Sequence, residues 1–261
     1  MISARIGLTQ WSLDLADARF IAACADLGVD CCQLEYDSRL DRPHWRAEYV
    51  KAAETSGVAL VAIAANGLSE MGLGRVGSAS MREARGAVEA AEAMSIPVVQ
   101  IPCFEQSAIR TSADWRHTID FLRLVCEFAA ARGVLVANEN VLPAAQQIAM
   151  VEAVDAPNFR LLYDVLNPTL AGQDAAGLLR AVAAHLCPVM HVKDGRDSFT
   201  GDRLLGSGRA DFPAFFTVLA ETNFHGALLI ENEYQYIEHP GGQGVKDDIA
   251  FLKAALQPYA P

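Results

Sequence analysis

Apolar residues fall along this chain in two alternating rhythms. Short runs rich in β-branched and aliphatic residues recur as "ARIGLTQ", "GVDCCQLEY", "GVALVAIAAN", "IPVVQIPCF", "GVLVANEN", "FRLLYDVLN", "CPVMHVKD" and "GALLIENE". Between them stand segments whose apolar positions repeat at helical spacing. "ADARFIAACADLG" and "RPHWRAEYVKAAETSG" close on Gly28 and Gly57, the residue type that ends a helix in the left-handed conformation. "SASMREARGAVEAAEAMS" is rich in Ala and Glu, both strong helix formers. "SADWRHTIDFLRLVCEFAAARG" opens on a Ser/Asp cap signal and ends at Gly133. "PAAQQIAMVEAV", "DAAGLLRAVAAHL", "DFPAFFTVLAETNF" and "GVKDDIAFLKAAL" complete the set.

The pattern predicts eight strands and eight helices in strict alternation. Several strands are apolar almost throughout, as parallel strands covered on both faces are. No Pro/Gly/Ser linker divides the chain. Eight βα units in 261 residues predict a single (β/α)8 TIM barrel over residues 1–261. The competing architecture is an open doubly wound sheet, and the count of eight favours closure.

A barrel of this kind builds its active site at the C-terminal ends of the strands. The residue at each strand exit therefore matters. Strand 1 ends near Gln10 and Trp11, strand 2 at Glu35 and strand 3 at Asn66. Strand 4 carries Gln100, with Cys103 and Glu105 beyond it. Strands 5 to 8 end at Glu139, Asp164, His191 and Glu231. Taken singly, a glutamate after a strand is an ordinary loop residue or helix cap, and the histidine of "VMHVKD" an ordinary rim residue. Four of them at one depth on successive strands point to one divalent metal ion. Three carboxylates in one pocket repel unless a positive charge offsets them. Three carboxylates and an imidazole suit Mn²⁺, Mg²⁺, Co²⁺, Fe²⁺ or Zn²⁺, whereas structural zinc normally takes cysteines.

Composition narrows the partners. The chain is 52% hydrophobic and 20% charged, with a formal net charge of −11. It has no cluster of Lys and Arg of the kind that displaces counterions from phosphates, which argues against nucleic acid and anionic membranes. The start "MISARIGLTQ" lacks a charged region followed by a long apolar core, so no signal peptide is expected, and no apolar run has the length of a membrane span. The six cysteines show no CxxC spacing and read as reduced core residues, which fits a cytoplasmic protein. Cys103, just after a strand, is the one placed to line a site. "GLGRVG" (Gly72 to Gly77) matches GxGxxG formally, but Gly67 to Met71 separate it from the strand-3 exit at Asn66. A dinucleotide fingerprint follows its strand directly, so this stretch reads as a flexible βα loop or lid. "LGSGR" (Leu205 to Arg209) reads either as a phosphate-binding turn or as the approach to the helix at Asp211.

The strand-5 glutamate in "ANEN", followed in order by "YDVLNP", "HVKDG", "LGSGRADF" and "LIENEY", resembles the xylose-isomerase-like TIM-barrel sugar phosphate isomerase/epimerase superfamily. The likeness runs from the first strand to the last helix. It implies that Glu139, Asp164, His191 and Glu231 hold a single metal. It also implies that Glu139 and Glu231 act as catalytic acid and base on opposite faces of the substrate. Lys193 and Arg196 lie where substrate oxygens or a phosphate would be held. Gln10, Glu35, Asn66 and Asn167 are further substrate-binding candidates, and Trp11, Tyr36 and Phe104 form either a wall over a sugar or loop packing. Asn167 stands where ketose 3-epimerases usually have a histidine, and their strand-7 arginine lies beyond Arg196. Asn66 and Gln100 occupy strand ends where endonuclease IV uses histidines, which argues against a DNA-repair nuclease.

Chelation of two adjacent substrate oxygens by a metal acidifies the neighbouring C–H and stabilises an enediolate. A carboxylate within reach then suffices as base. Return of the proton to the same carbon gives epimerisation, return to its neighbour gives isomerisation, and expulsion of a β-substituent gives a lyase. The expected activity is thus a metal-dependent isomerase or epimerase of a sugar, polyol or keto-sugar derivative, in carbohydrate metabolism. A dehydratase, or a lyase eliminating an aglycone from a 3-keto sugar, is the alternative on the same site. A non-catalytic sugar-binding protein is disfavoured by the presence of all four ligand types. A small-molecule carbohydrate is the expected partner, and a homo-oligomer is admitted.

Overall fold

Eight parallel strands hydrogen-bond in sequence order and close on themselves, β1 pairing with both β2 and β8. They are β1 Ser3–Thr9, β2 Cys31–Glu35, β3 Ala59–Ala64, β4 Val98–Pro102, β5 Leu135–Glu139, β6 Phe159–Asp164, β7 Leu186–Val192 and β8 His225–Ile230. This computed structural model describes residues 1–73, 78–237 and 242–259. Residues 74–77 of the "GLGRVG" stretch, read above as a βα loop, lie outside the described residues.

The helices follow the strands as the periodicity predicts. They are α1 Ala18–Leu27, α2 Pro43–Ser56, α3 Gly67–Met71, α4 Ala79–Ala93, α5 Ser112–Ala130, α6 Ala144–Val154, α7 Asn167–Leu170, α8 Ala175–Val182, α9 Phe212–Glu221 and α10 Gln243–Leu256. Two of these, α3 and α7, are short turns of helix on the loops that leave β3 and β6, and the periodicity does not announce them. Within "FRLLYDVLN" β6 ends at Asp164, the exit read from the sequence. The cause is local: the Asp164 carboxylate accepts from the backbone N–H groups of Leu166 and Asn167 and turns the chain. Pro168, whose fixed φ suits a first helical turn, then opens α7.

Side chains alternate across a strand, so each strand divides between two cores. The outward set packs under the helices with Phe20, Phe121 and Phe159, all shielded from solvent. Removing such a ring from water contributes about 1.5–3 kcal/mol. The inward set forms a second core in the barrel, with Cys31, Val98, Ala137, Leu162, Val189 and Leu229 from six strands. Two positions further along the same strands stand Gln33, Gln100, Glu139, Asp164, His191 and Glu231. The period of two therefore sets one layer of polar side chains directly above one layer of apolar ones.

β1 adds no side chain to that apolar layer. Gly7 pairs with Cys31 on one side and Leu229 on the other. A Cβ there would come within 2.5 Å of the Cys31 carbonyl oxygen and 2.6 Å of Leu229 Cδ2. The backbone oxygen does not yield, so Gly7→Ala is expected to lower stability by about 1–3 kcal/mol. Urea unfolding of the two proteins measures this, and equal midpoints and slopes would contradict it.

Candidate functional site

Glu139 and Asp164 are the last residues of β5 and β6, His191 the last but one of β7, and Glu231 follows β8. Their strands bring one ligand atom from each to within 4.8 Å of the others. Asp164 pairs directly with His191, and His191 with Leu229, two places before Glu231. Glu139, Asp164 and His191 are buried and Glu231 nearly so. His191 Nδ1 lies 3.3 Å from Glu231 Oε2 and 3.5 Å from Glu139 Oε2. Neither that nitrogen nor Asp164 Oδ2 has a hydrogen-bond partner. A buried polar atom without a partner costs about 1–3 kcal/mol. Two such atoms facing one point, among oxygen donors and one imidazole, fit a divalent cation.

Lys193, two positions beyond His191 and so on the same face, extends into the cluster. Its Nζ is 2.8 Å from Glu231 Oε2 and 3.6 Å from Asp164 Oδ2. Burial alone would drive its proton off, but Asp164, Glu231 and Glu139 reverse this and hold the amine above its ordinary range. For Glu231, burial is outweighed by Lys193 and His191, and its carboxyl lies well below the usual carboxylate range. Asp164 goes the other way. Burial, opposed by Lys193 and reinforced by Glu231 and Glu139, pushes it up to about 7. Burial also works against charge on His191, yet Glu231 and Glu139 hold it at about 10.

Neutral donors orient the two glutamates. Trp11 Nε1 donates to Glu231 Oε1 at 3.2 Å. Asn167 Nδ2 donates to Glu139 Oε1 at 3.0 Å, and Gln100 Nε2 to Glu139 Oε2. Asn167 Oδ1 is buried and unpartnered, an acceptor open to a ligand.

A cavity of about 510 Å³ opens over the cluster. Asn66, Asn167 and Lys193 line it with Glu139 and Glu231, and Trp11, Phe104 and Phe199 supply apolar walls. Glu35 and Gln10 line a smaller neighbouring cavity that shares Trp11 and Glu233 with the first. The Gln10 amide is already committed: it donates to Leu15 O and Tyr49 Oη and accepts from the Glu35 backbone. Asn66 Nδ2 donates to Glu35 Oε1, whose carboxyl is raised by burial. Arg196 is exposed and lines neither cavity. Tyr36 also lines neither, and its hydroxyl donates to Asp41. Cys103 does reach the large cavity, but burial raises its thiol to about 12, which removes it as a nucleophile at neutral pH. All six cysteines are free and buried.

The "LGSGR" segment turns out to serve its own protein. The buried Asp194 carboxylate accepts from the backbone N–H groups of Gly195, Gly206, Gly208 and Ala210, at 2.8–3.0 Å. Those amides are thus spent on anchoring the loop beside Lys193 rather than on a phosphate. Asn232 accepts from the Asp194 backbone and donates to Asp248, which ties this loop to the exit of β8. Gln33 is the polar site residue that a reading of strand tips passes over. Its signal is a polar side chain within "CCQLE", two places before Glu35 and so on the same face.

Among the described residues, no helix is long and apolar enough to cross a membrane. The family model described as xylose isomerase-like TIM barrel matches residues 21–255. The chain is 32% identical over 240 residues to 2-epi-5-epi-valiolone 7-phosphate 2-epimerase from an Actinoplanes species, covering 90% of this chain and 89% of that one. It is 27% identical over 157 residues to inosose dehydratase from Clostridium tetani, 52% of each chain. Among solved structures it is similar in fold to a xylose isomerase domain protein from Planctomyces limnophilus, with a TM-score of 0.80, 17% identity and 99% of both chains covered.

The electrostatics predict a pH dependence for the metal-free protein. His191 is raised from 6.5 to about 10 and Asp164 from 3.8 to about 7. A raised value in the fold means that the protonated form stabilises it, and that this contribution is lost as pH rises. The loss runs up to about pH 7 for Asp164 and from about 6.5 towards 10 for His191. Glu231 is shifted downwards, so its contribution is lost only in acid. The metal-free melting temperature should therefore fall steadily on the alkaline side of neutrality. A thermal melting series against pH checks this, and a flat profile there would contradict it.

Proposed function

Because the chain belongs to the xylose isomerase-like TIM barrel family, we propose that it is a divalent-metal-dependent isomerase or epimerase of a sugar, polyol or keto-sugar derivative. The observation that carries this is the convergence of Glu139 and Glu231 on one buried cluster beneath a cavity of ligand size. In this reading Glu139, Asp164, His191 and Glu231 hold the metal, one of Mn²⁺, Mg²⁺, Co²⁺, Fe²⁺ or Zn²⁺. When bound, the ion would polarise the substrate carbonyl and offset the charge of the enediolate.

The chain's own residues do the rest. Glu231, kept ionised by Lys193 and His191 and oriented by Trp11, takes the proton from the substrate carbon. Glu139, fixed by Asn167 and Gln100, serves the opposite face. Lys193, Asn167 and Asn66 meet the substrate oxygens, with Glu35 and Gln10 supporting the wall beside Trp11. Arg196 receives no role. The relative from Actinoplanes is named for a phosphate ester. Here Glu70, Glu105 and Glu233 line the cavity, and Lys193, the one cation among its described lining residues, is already paired with Glu231. This supports an uncharged substrate. The setting is cytoplasmic, with neither nucleic acid nor membrane as partner.

The matched dehydratase supports lyase chemistry as the second reading, since loss of a β-hydroxyl begins with the same proton transfer. Turnover in D₂O separates the two. Solvent deuterium retained in an intact isomer supports the first reading, and release of water or an aglycone supports the second. Chelation is expected to abolish turnover and re-addition of metal to restore it. Glu139→Gln and Glu231→Gln should each lower kcat by about 10²–10⁴-fold. Full activity in both variants, on a substrate turned over by the wild type, would end this proposal.

A further inference from the structure

Gln33 on β2 and Gln100 on β4 are 0% and 1% exposed, each in the middle of its strand. Their amides link two of the proposed ligands. His191 Nε2 meets Gln33 Oε1 at 2.7 Å, Gln33 Nε2 meets Gln100 Oε1 at 2.5 Å, and Gln100 Nε2 meets Glu139 Oε2 at 2.5 Å.

The direction of this chain is fixed from one end. An ionised carboxylate can only accept hydrogen bonds. Gln100 must therefore turn its NH₂ group to Glu139, which leaves its carbonyl facing Gln33. Gln33 must answer with its own NH₂ group, which leaves its carbonyl facing His191. A carbonyl at 2.7 Å from Nε2 requires a proton on that nitrogen. When His191 gives up a proton to bind a cation, the one that leaves is therefore that on Nδ1, the nitrogen that faces Glu139 and Glu231 and has no hydrogen-bond partner. Reversing the amides would aim a carbonyl at the Glu139 carboxylate. It would also aim an NH₂ group at Nε2 and move the proton to Nδ1, the nitrogen that must be bare to bind a cation.

We propose that Gln33 and Gln100 form a positioning relay by which Glu139 sets the tautomer of His191, so that the two ligands are made ready for the metal together. This rests on the metal-site reading above. Neither amide is a ligand, and neither donates a proton to the substrate. Their part is to keep one proton on one nitrogen in a buried layer of the barrel.

Titration of metal-free protein with Mn²⁺ tests the relay, using Gln33→Met, Gln100→Met and the double variant. Loss of an outer partner of a metal ligand typically weakens binding about 10–100-fold. Each single variant should lose affinity on that scale, and the double variant should be no weaker than the worse single one. Independent contacts would multiply their losses. A second readout uses the ¹H–¹⁵N signal of the His191 Nε2 proton in the metal-free protein, assigned by its disappearance in His191→Gln. In Gln100→Met it should shift and exchange faster with water, although Gln100 does not touch His191. An unmoved signal, or losses that multiply, would overturn the relay. If Gln33→Met does not fold, judged by its metal-free melting curve, Gln100→Met and the His191 signal decide alone. A wild-type protein that binds none of the five candidate ions would instead sink the metal reading.

Discussion

Three carboxylates converge at the mouth of this barrel where little water reaches, and their mutual repulsion determines what stands around them. Cations and N–H donors are set against them. Lys193 and His191 carry the positive charge. Trp11, Asn167 and Gln100 carry the N–H groups. The nearby Asp194 would add a fourth charge, but four backbone amides of its own loop absorb it. Burial and the same repulsion push the Asp164 carboxyl up, while Lys193 and His191 hold that of Glu231 down. A cluster of this kind cannot keep all its carboxyl groups charged at once unless a cation is added.

The strands act on this cluster through arithmetic. A closed parallel sheet gives each strand one inward face, and the period of two decides which residues share it. Leu162 below and Asp164 above, or Val189 below and His191 above, are one decision made twice. That is why the four ligand-type residues could be read from the sequence: each follows an apolar inward residue by two places at the end of a strand. Gln33 obeys the same rule and was equally present in the pattern. It stands in mid-strand, two places before the strand tip Glu35, rather than at the tip itself.

Loop residues do not follow this arithmetic, and the sequence was correspondingly poor in them. Arg196 lies three residues beyond Lys193, but the loop after β7 turns it outwards, with its backbone N–H directed to Asp202. Gln10 stands at a strand exit yet spends its amide on Leu15, Tyr49 and Glu35. The turn into α7 arises from the Asp164 side chain capping its own exit, a tertiary economy in which one carboxylate oxygen shapes a loop while the other faces the cluster. Both the chemistry common to epimerases and lyases and the rigid part of the site thus come from the strands. Asn66, Phe104, Phe199 and other loop residues form the walls of the cavity above it.

Lys193 has a bearing on how the cluster is loaded. Its ammonium group already stands among the carboxylates, 2.8 Å from one of them. The metal-free cluster therefore already carries a counter-ion of its own. Loading becomes a handover between cations rather than the filling of a repulsive hole. The ease of that handover then depends on how readily a single flexible side chain swings aside.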